Sequence, residues 1–276
     1  MRTLVHLSDL HFGRVDEQLL APLRATVHGL QPDVVVVSGD LTQRARRGQF
    51  AEAGSYLATL PQPQIIVPGN HDIPLYNVLA RFLTPLDNYQ HYISDDLTPE
   101  YIDNEIAVLG LNTARSLTFK DGRVNREQIA ALHERFDKLP RHITRVVVTH
   151  HPFDLPEHFD EDDLVVRAGM AMEAFSQCGV DLLLAGHMHT SHSHSSEERY
   201  KIGGYAALVV QAGTATSTRG RGESNSFNVL RVEPSRIEVE RYSWDESFMN
   251  FRPAGLEDFE RIGDVWRSVL TRAQSQ

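Results

Sequence analysis

Apolar positions along this chain change period several times, and each change marks an element. Residues 3–7 are the first strand candidate, with apolar Leu4, Val5 and Leu7. Over 16–30, Leu19, Leu20, Leu23, Val27 and Leu30 fall at helical spacing. Residues 33–37, apolar from Val34 to Val37, show the pattern of a strand buried on both faces. Over 49–60, Phe50, Ala53, Leu57 and Leu60 again share one helical side, and 64–67 is a third short strand. Strands joined by helical crossovers predict parallel pairing.

The alternation continues more loosely. A polar and aromatic segment with helical stretches covers 73–99. A strand follows over 106–111, a helix over 125–136, a strand over 144–149, a helix over 166–178 and a strand over 181–185. Then strands take over, at 206–212, 227–232 and 237–242. In the last of these Ile237, Val239 and Arg241 alternate with Glu238, Glu240 and Tyr242, which predicts an antiparallel strand with one wet face. The Gly/Ser/Thr/Arg stretch 214–226 reads as a mobile loop. Residues 256–270 read as a closing amphipathic helix, with Leu256, Phe259, Ile262, Val265, Trp266 and Val269 on its apolar side. The expected organisation is one α/β domain over 1–245 and a C-terminal helical extension over 246–276 packed on it. The apolar side of that helix is also a candidate homodimer or lipid contact.

Composition narrows the class. A chain of 276 residues suits one large α/β domain, and 41% hydrophobic with 23% charged residues is ordinary for a globular protein. The longest apolar runs, 34–37 and 182–185, fall far short of the roughly 18 residues of a membrane span. Asp9 interrupts any apolar leader at the N-terminus. The single cysteine, Cys178, permits no intrachain disulfide and fits a reducing compartment, so a cytoplasmic location is expected. Lys and Arg number 27 against 37 Asp and Glu, a net charge of −10. That balance disfavours a general nucleic-acid binder. It leaves room for a phosphate-bearing substrate, because bound cations are not counted in it.

Histidine changes the picture most. There are 14, many beside Asp, Asn or Gly just after an apolar run. Five strands end in polar clusters: Ser8-Asp9-Leu10-His11, Ser38-Gly39-Asp40, Pro68-Gly69-Asn70-His71-Asp72, His150-His151-Pro152 and Gly186-His187-Met188-His189. Asp9, Asp40 and Asn70 are 31 and 30 residues apart, one βαβ unit each. Parallel strand ends line up along one edge of a sheet, where α/β folds place their ligands. Taken singly, a histidine after a strand is ordinarily a structural hydrogen-bonder, and Gly-Asp a turn or helix cap. Five such clusters, each at a strand end, point instead to one convergent site.

Imidazole, carboxylate and amide oxygen without thiolate suit Mn, Fe, Co or Zn. Asp9 with His11, and His187 with His189, are spaced to point the same way from extended chain. Seven candidate ligands exceed one tetrahedral ion. They suit two ions about 3.5–4 Å apart sharing a carboxylate, the arrangement used for phosphoester cleavage.

Asp-x-His, Gly-Asp, Gly-Asn-His-Asp, His-His-Pro and Gly-His-x-His, in this order, resemble the motif set of the calcineurin-like metallophosphoesterase superfamily. The nearest branch is the bacterial class III phosphodiesterases, which act on cyclic nucleotides and glycerophosphodiesters. The resemblance implies a four-layer α/β/β/α sandwich of two β-sheets flanked by helices. It implies two divalent or trivalent transition-metal ions, one held by Asp9, His11, Asp40 and His189, the other by Asp40, Asn70, His150 and His187, with Asp40 as the bridge. His150 rather than His151 is the expected ligand, because the family's ligand stands two residues before Pro. The implied reaction is in-line attack of a metal-bridging hydroxide on a small phosphodiester. His71 is then the candidate for protonating the leaving oxygen, with Asp72 orienting its ring. Purple acid phosphatases place a tyrosine ligand where this chain has Gln43. Ser/Thr protein phosphatases have Asp there, and Glu in place of Asp72.

Other features are secondary. Arg44 and Asn112 are candidate substrate contacts. Tyr76, Tyr89, His91 and Tyr92 are placed to cap a pocket, and the acidic run 160–163 to border its mouth and repel polyanions. Phosphomonoester, nucleotide-sugar-lipid and nuclease activities, and a non-catalytic interaction scaffold, are the alternatives.

Overall fold

The computed structural model describes residues 1–118, 120–155, 163–218 and 222–269. Its first half follows the periodicity closely. Strand β1 (Arg2–Leu7) leads to α1 (Glu17–Leu30), β2 (Val34–Ser38), α2 (Arg47–Leu57) and β3 (Gln64–Val67). Asp16 caps α1 by accepting the Gln18 amide, and Gln31 ends that helix in the left-handed region. The polar and aromatic segment holds two single-turn helices, α3 (Val78–Leu83) and α4 (Asp87–Tyr92). Next come β4 (Glu100–Ile102), β5 (Ile106–Gly110), α5 (Arg126–Asp137), β6 (Thr144–Val148), α6 (Ala168–Cys178) and β7 (Leu182–Ala185). Seven strands complete the order: β8 (His192–Ser195), β9 (Tyr205–Ala206), β10 (Leu208–Gln211), β11 (Ser226–Glu233), β12 (Arg236–Asp245), β13 (Asn250–Ile262) and β14 (Asp264–Val269).

The strands form two sheets. One runs β3-β2-β1-β11-β12-β13-β14-β9, the other β4-β5-β6-β7-β10-β8. Strands β1, β2 and β3 are parallel, as are β5, β6, β7 and β10. Alternation within β2 shows why its run is apolar throughout. Val34 and Val36 join the core between the sheets, with Leu4, Val108, Val148, Leu184 and Trp266. Val35 and Val37 turn outward against Leu19, Leu23, Phe50 and Leu57 of α1 and α2. The second sheet repeats this: Val147 and Leu183 pack on Ile129 and Phe136 of α5 and on Met172 and Phe175 of α6. The result is the expected four-layer α/β/β/α sandwich. Cys178 is buried at the end of α6, and burial pushes its thiol up to about 12.

The C-terminal segment corrects the expectation of a helix over 256–270. It forms β13 and β14, a hairpin on the larger sheet, and residue 270 lies outside the described residues. Gly263, at φ +68°, turns the chain between Ile262 and its partner Val265. Glycine takes that backbone region without steric penalty. Phe259 and Trp266 face the core between the sheets, while Leu256 and Ile262 are exposed. The apolar helix side expected to serve a homodimer therefore does not exist. The expected strand 206–212 is two strands, β9 and β10, in different sheets. Of the loop 214–226, residues 219–221 lie outside the described residues, as do 160–162 of the acidic run.

Candidate metal centre

The clusters after β1, β2, β3, β6 and β7 meet beyond the carboxyl ends of their strands. The chain after β1 lies along the chain after β2. The amides of Asp9, His11 and Phe12 donate to the carbonyls of Gly39, Asp40 and Leu41, at 3.1, 2.9 and 2.8 Å. Asp9, His11, Asp40, His187 and His189 all lie in the left-handed region, with φ from 51° to 75°. That region is sparsely populated for residues with a Cβ and tends to mark functional turns.

Two glycines let the cluster close. A Cβ on Gly69 would stand 2.1 Å from Asp40 Oδ1, and one on Gly186 would stand 1.8 Å from Ser8 Oγ.

One group is Asp9, His11, Asp40 and His189, all buried, with a ligand atom of each within 4.8 Å of the others. Asp9 Oδ1 lies 3.4 Å from His11 Nε2 and 3.3 Å from His189 Nε2. Asp9 Oδ2 accepts from Ser8 Oγ at 2.7 Å and from the His187 amide at 3.1 Å. Burial alone would raise the Asp9 pKa, but His189, His11 and His150 hold it well below the usual carboxylate range. The second group gathers His150, His187 and Asn70. His150 Nδ1 is 2.8 Å from the Ser38 carbonyl. A carbonyl only accepts, so Nδ1 carries the proton and Nε2 the lone pair. That Nε2 lies 3.0 Å from Asn70 Oδ1, 3.2 Å from His187 Nδ1 and 3.4 Å from Asp40 Oδ1. Burial, with His151 and His150 alongside, keeps the His187 imidazole neutral, its pKa well below the usual value.

These arrangements fit metal ions. Asp9 Oδ1 is a buried carboxylate oxygen faced by the ring nitrogens of His11 and His189, as in a shared ligand set. At His150, Nε2, Asn70 Oδ1 and Asp40 Oδ1 offer electron pairs to one place, the donor set a cation would take. Asp40 stands between the groups. Its Oδ1 faces His150, and its Oδ2 is 3.7 Å from His11 Nε2. Here too burial raises the pKa, and His150, His11 and His71 outweigh it, so Asp40 stays ionised. His151 is close enough to join the second group. Both its nitrogens are engaged, however, Nδ1 with Thr113 Oγ1 and Nε2 with the Lys120 carbonyl, each at 2.8 Å.

His71 sits at the rim. Its amide donates to Asp40 Oδ1 at 2.9 Å, and its ring meets that of His11 edge-on at 5.0 Å. Asp72 does not orient that ring, contrary to expectation. Its buried carboxylate accepts the amides of Gly69, Leu41 and Thr42 and the Thr42 hydroxyl, at 2.9, 3.1, 2.9 and 3.0 Å. It staples the turn carrying Asn70 to the turn carrying Asp40. Burial and the Asp40 charge push its pKa up to about 6, against those hydrogen bonds. The ring of His71 meets Gln43 instead, at the carbonyl oxygen, 3.0 Å from Nδ1.

Arg44 and Asn112, the expected substrate contacts, have local partners. The Arg44 guanidinium lies 5.8 Å over the Tyr76 ring, and Asn112 Oδ1 accepts the Ala114 amide at 2.9 Å. Sequence inspection misses Ser8, Ser38 and Gln43 as contributors. The two serines are visible beside Asp9 and Asp40, but nothing in their spacing tells a hydrogen-bonding support from a turn residue.

A sequence model of the calcineurin-like phosphoesterase family matches residues 2–191. The chain belongs to that family. This calcineurin-like phosphoesterase is similar to the glycerophosphodiester phosphodiesterase GpdQ of Enterobacter lignolyticus (strain SCF1), 35% identical over 80 residues, 25% of this chain and 29% of that protein. It is also similar to a probable glycerophosphodiester phosphodiesterase GpdQ of Arcobacter nitrofigilis, 25% identical over 162 residues, 58% of this chain and 57% of that protein. The matched stretches span less than two thirds of either relative's length. In fold the phosphoesterase resembles a dimetal phosphatase from Danio rerio, with a TM-score of 0.62 at 15% identity over 87% of this chain and 95% of that one.

Proposed function

We propose that this phosphoesterase hydrolyses a small phosphodiester of the cyclic-nucleotide or glycerophosphodiester type, using two transition-metal ions. The observation that carries the reading is Asp40, whose two oxygens face two separate histidine groups. Asp9, His11, Asp40 and His189 would hold one ion. Asp40, Asn70, His150 and His187 would hold the other. Bound there, such ions supply Lewis acidity at phosphate oxygens and bring the pKa of coordinated water from 15.7 to about 7.

The chain's own residues do the rest. Asp40 and Asp9, both ionised, give the site its negative charge before metal binds. Ser38 orients His150 through Nδ1, and Ser8 orients Asp9. Those contacts fix each ligand's direction, as outer partners do in metal sites. His71 protonates the departing oxygen. The preference for diesters rests on similarity to the two GpdQ proteins. A cytoplasmic setting goes with this reading, on the strength of the lone reduced Cys178.

The test is hydrolysis by the Mn²⁺-loaded protein of bis-p-nitrophenyl phosphate, p-nitrophenyl phosphate, cyclic AMP, glycerophosphocholine and single-stranded DNA. At least one small diester should be cleaved with a higher kcat/KM than the monoester. Turnover of p-nitrophenyl phosphate alone would make the protein a monoesterase, and preference for DNA would make it a nuclease.

A further inference from the structure

We propose that Asp154, His194, His192 and Gln211 form a zinc site apart from the catalytic centre, on the outer face of the second sheet. Asp154 stands in the loop after β6, four residues beyond His150, and is fully buried. Its Oδ1 accepts from Arg199 Nε and from the Leu155 amide, each at 2.8 Å. Its Oδ2 faces His194 Nε2 at 3.4 Å, longer than an N–H···O hydrogen bond. Neither nitrogen of the mostly buried His194 ring has a hydrogen-bond partner among the described residues. His192 and His194 are two apart on β8 and share a face, their rings stacked at 5.6 Å and 30°. Gln211 of β10 pairs with His192 in antiparallel register, which puts it on that same face. It is fully buried, and neither atom of its carboxamide has a partner among the described residues. Polar groups left unmet in an interior are costly, and a cation shared among them removes that cost.

The group of Asp9, His11 and His189 repeats this construction. There one carboxylate oxygen faces His11 Nε2 and His189 Nε2 at 3.4 and 3.3 Å, and the two rings stand 5.2 Å apart at 32°. The other Asp9 oxygen takes a hydroxyl and an amide, as the other Asp154 oxygen takes a guanidinium and an amide. Two donors about 2.0 Å from one zinc ion, at the tetrahedral angle, stand about 3.3 Å apart. An ion between Asp154 Oδ2 and His194 Nε2 fits the observed separation, whereas an in-line hydrogen bond does not. Two imidazoles, a carboxylate and an amide oxygen make a closed set of four donors, the form of a structural zinc site. Imidazole suits zinc, and Mn²⁺, at the weak end of the affinity order, should leave the site empty. Arg199 Nη2 and the Tyr200 hydroxyl already hold the loop, at the Leu155 and Phe153 carbonyls, 3.1 and 2.7 Å away. Zinc adds a clamp between β8 and the loop that begins with His150, and takes no part in phosphoester cleavage.

Zinc loading of Asp40→Ala decides the matter, because that variant lacks the carboxylate shared by the two histidine groups of the catalytic centre. After exposure to Zn²⁺ and desalting, elemental analysis should find close to one equivalent in Asp40→Ala. Adding His194→Ala, or Asp154→Asn, to that background should remove it. Asp154→Asn keeps an acceptor for Arg199 and the Leu155 amide, so the loop keeps its place while the carboxylate is lost. Zn²⁺ should raise the Tm of Asp40→Ala and leave the Tm of both double variants unchanged. His194→Ala alone, loaded with Mn²⁺, should cleave bis-p-nitrophenyl phosphate at close to the wild-type rate, which separates this site from the catalytic one. Absence of zinc from Asp40→Ala, or as much zinc in the double variants as in Asp40→Ala, would overturn the proposal. A wild type inactive on every phosphoester would sink the functional reading instead, and the zinc content of Asp40→Ala would still decide whether this second site exists.

Discussion

The Nε2 atom of His150 lies 3.4 Å from Oδ1 of Asp40, while the other Asp40 oxygen lies 3.7 Å from His11 Nε2. One carboxylate thus belongs to both histidine groups, and its loss should be felt by both. Asp40→Ala should abolish turnover and drop bound Mn²⁺ well below one equivalent, from two in wild type. Asn70→Ala removes a neutral ligand from one group only and should retain close to one equivalent. Elemental analysis of the purified, reconstituted proteins decides this. Equal metal loss in the two variants would contradict the shared role of Asp40.

His150 and His151 make a sharper pair. His150 turns Nε2 toward Asn70, His187 and Asp40. His151 has both nitrogens in hydrogen bonds to Thr113 and Lys120. His150→Ala should therefore lose one metal and nearly all activity. His151→Ala should keep its metal and lose activity modestly, through loosening of the loop that holds Lys120. The reverse order, measured as metal content and kcat on the same preparations, would transfer the ligand role to His151.

The convergence of these His, Asp and Asn residues was legible because they are tied to strand ends. The apolar runs of β1, β2, β3, β6 and β7 locate those ends, and parallel pairing brings them to one edge. Only side-chain packing could show that Asp72 braces two turns while Gln43 meets the His71 ring. Adjacency in sequence favoured Asp72, yet its neighbours in space are the amides of Gly69, Leu41 and Thr42. The C-terminal hairpin misled for another reason. Leu256, Phe259, Ile262, Val265 and Trp266 fall at helical spacing because two strands meet at a tight turn, not because one face is buried. The Gly263-Asp264 pair was the overlooked sign, since Gly-Asp between apolar residues favours a two-residue hairpin loop.

His6 makes stability pH-dependent. It lies wholly buried on β1 with Nε2 2.9 Å from Ser38 Oγ, and burial pushes its pKa down to about 3. An unfolded histidine titrates near 6.5. Between these values the unfolded chain binds a proton that the folded one refuses, so stability rises with pH across that window. The contribution of neutral His6 is complete above about 6.5 and fades as pH falls toward 3. His6→Gln should lower Tm at pH 7, where it only perturbs packing, yet flatten the fall in Tm between pH 6.5 and pH 4.5. Thermal melts with chelator present keep metal binding out of the comparison. A variant whose Tm falls with acid as steeply as wild type would show that His6 is not among the groups responsible.

Gly69 tests how tightly the two turns must approach. Its backbone, at φ −104° and ψ −177°, is extended and open to any residue, so an alanine there meets no conformational penalty. The obstacle is contact alone. The new methyl would stand 2.1 Å from Asp40 Oδ1 and 2.3 Å from the Asp40 amide nitrogen, distances that no rearrangement of the methyl can relieve. Asp40 must move, and with it the carboxylate facing both histidine groups. The His71 amide would lose its acceptor, and the hydrogen bond from the Gly69 amide to Asp72 would be strained. Gly69→Ala should weaken Mn²⁺ binding by about 10- to 100-fold, the range seen when a ligand's supports are removed. Activity at limiting metal should fall at least as far and recover only partly at saturating metal, because the shifted Asp40 also misplaces His71. Gly48→Ala is the matched control. That glycine lies in α2 with nothing within 4 Å of the place an added methyl would take, and alanine there should raise stability by about 0.5–1 kcal/mol without touching metal affinity. Isothermal titration with Mn²⁺ on both variants settles the point. If Gly69→Ala binds metal as wild type does, the close approach of the two turns is not what sets the geometry of Asp40.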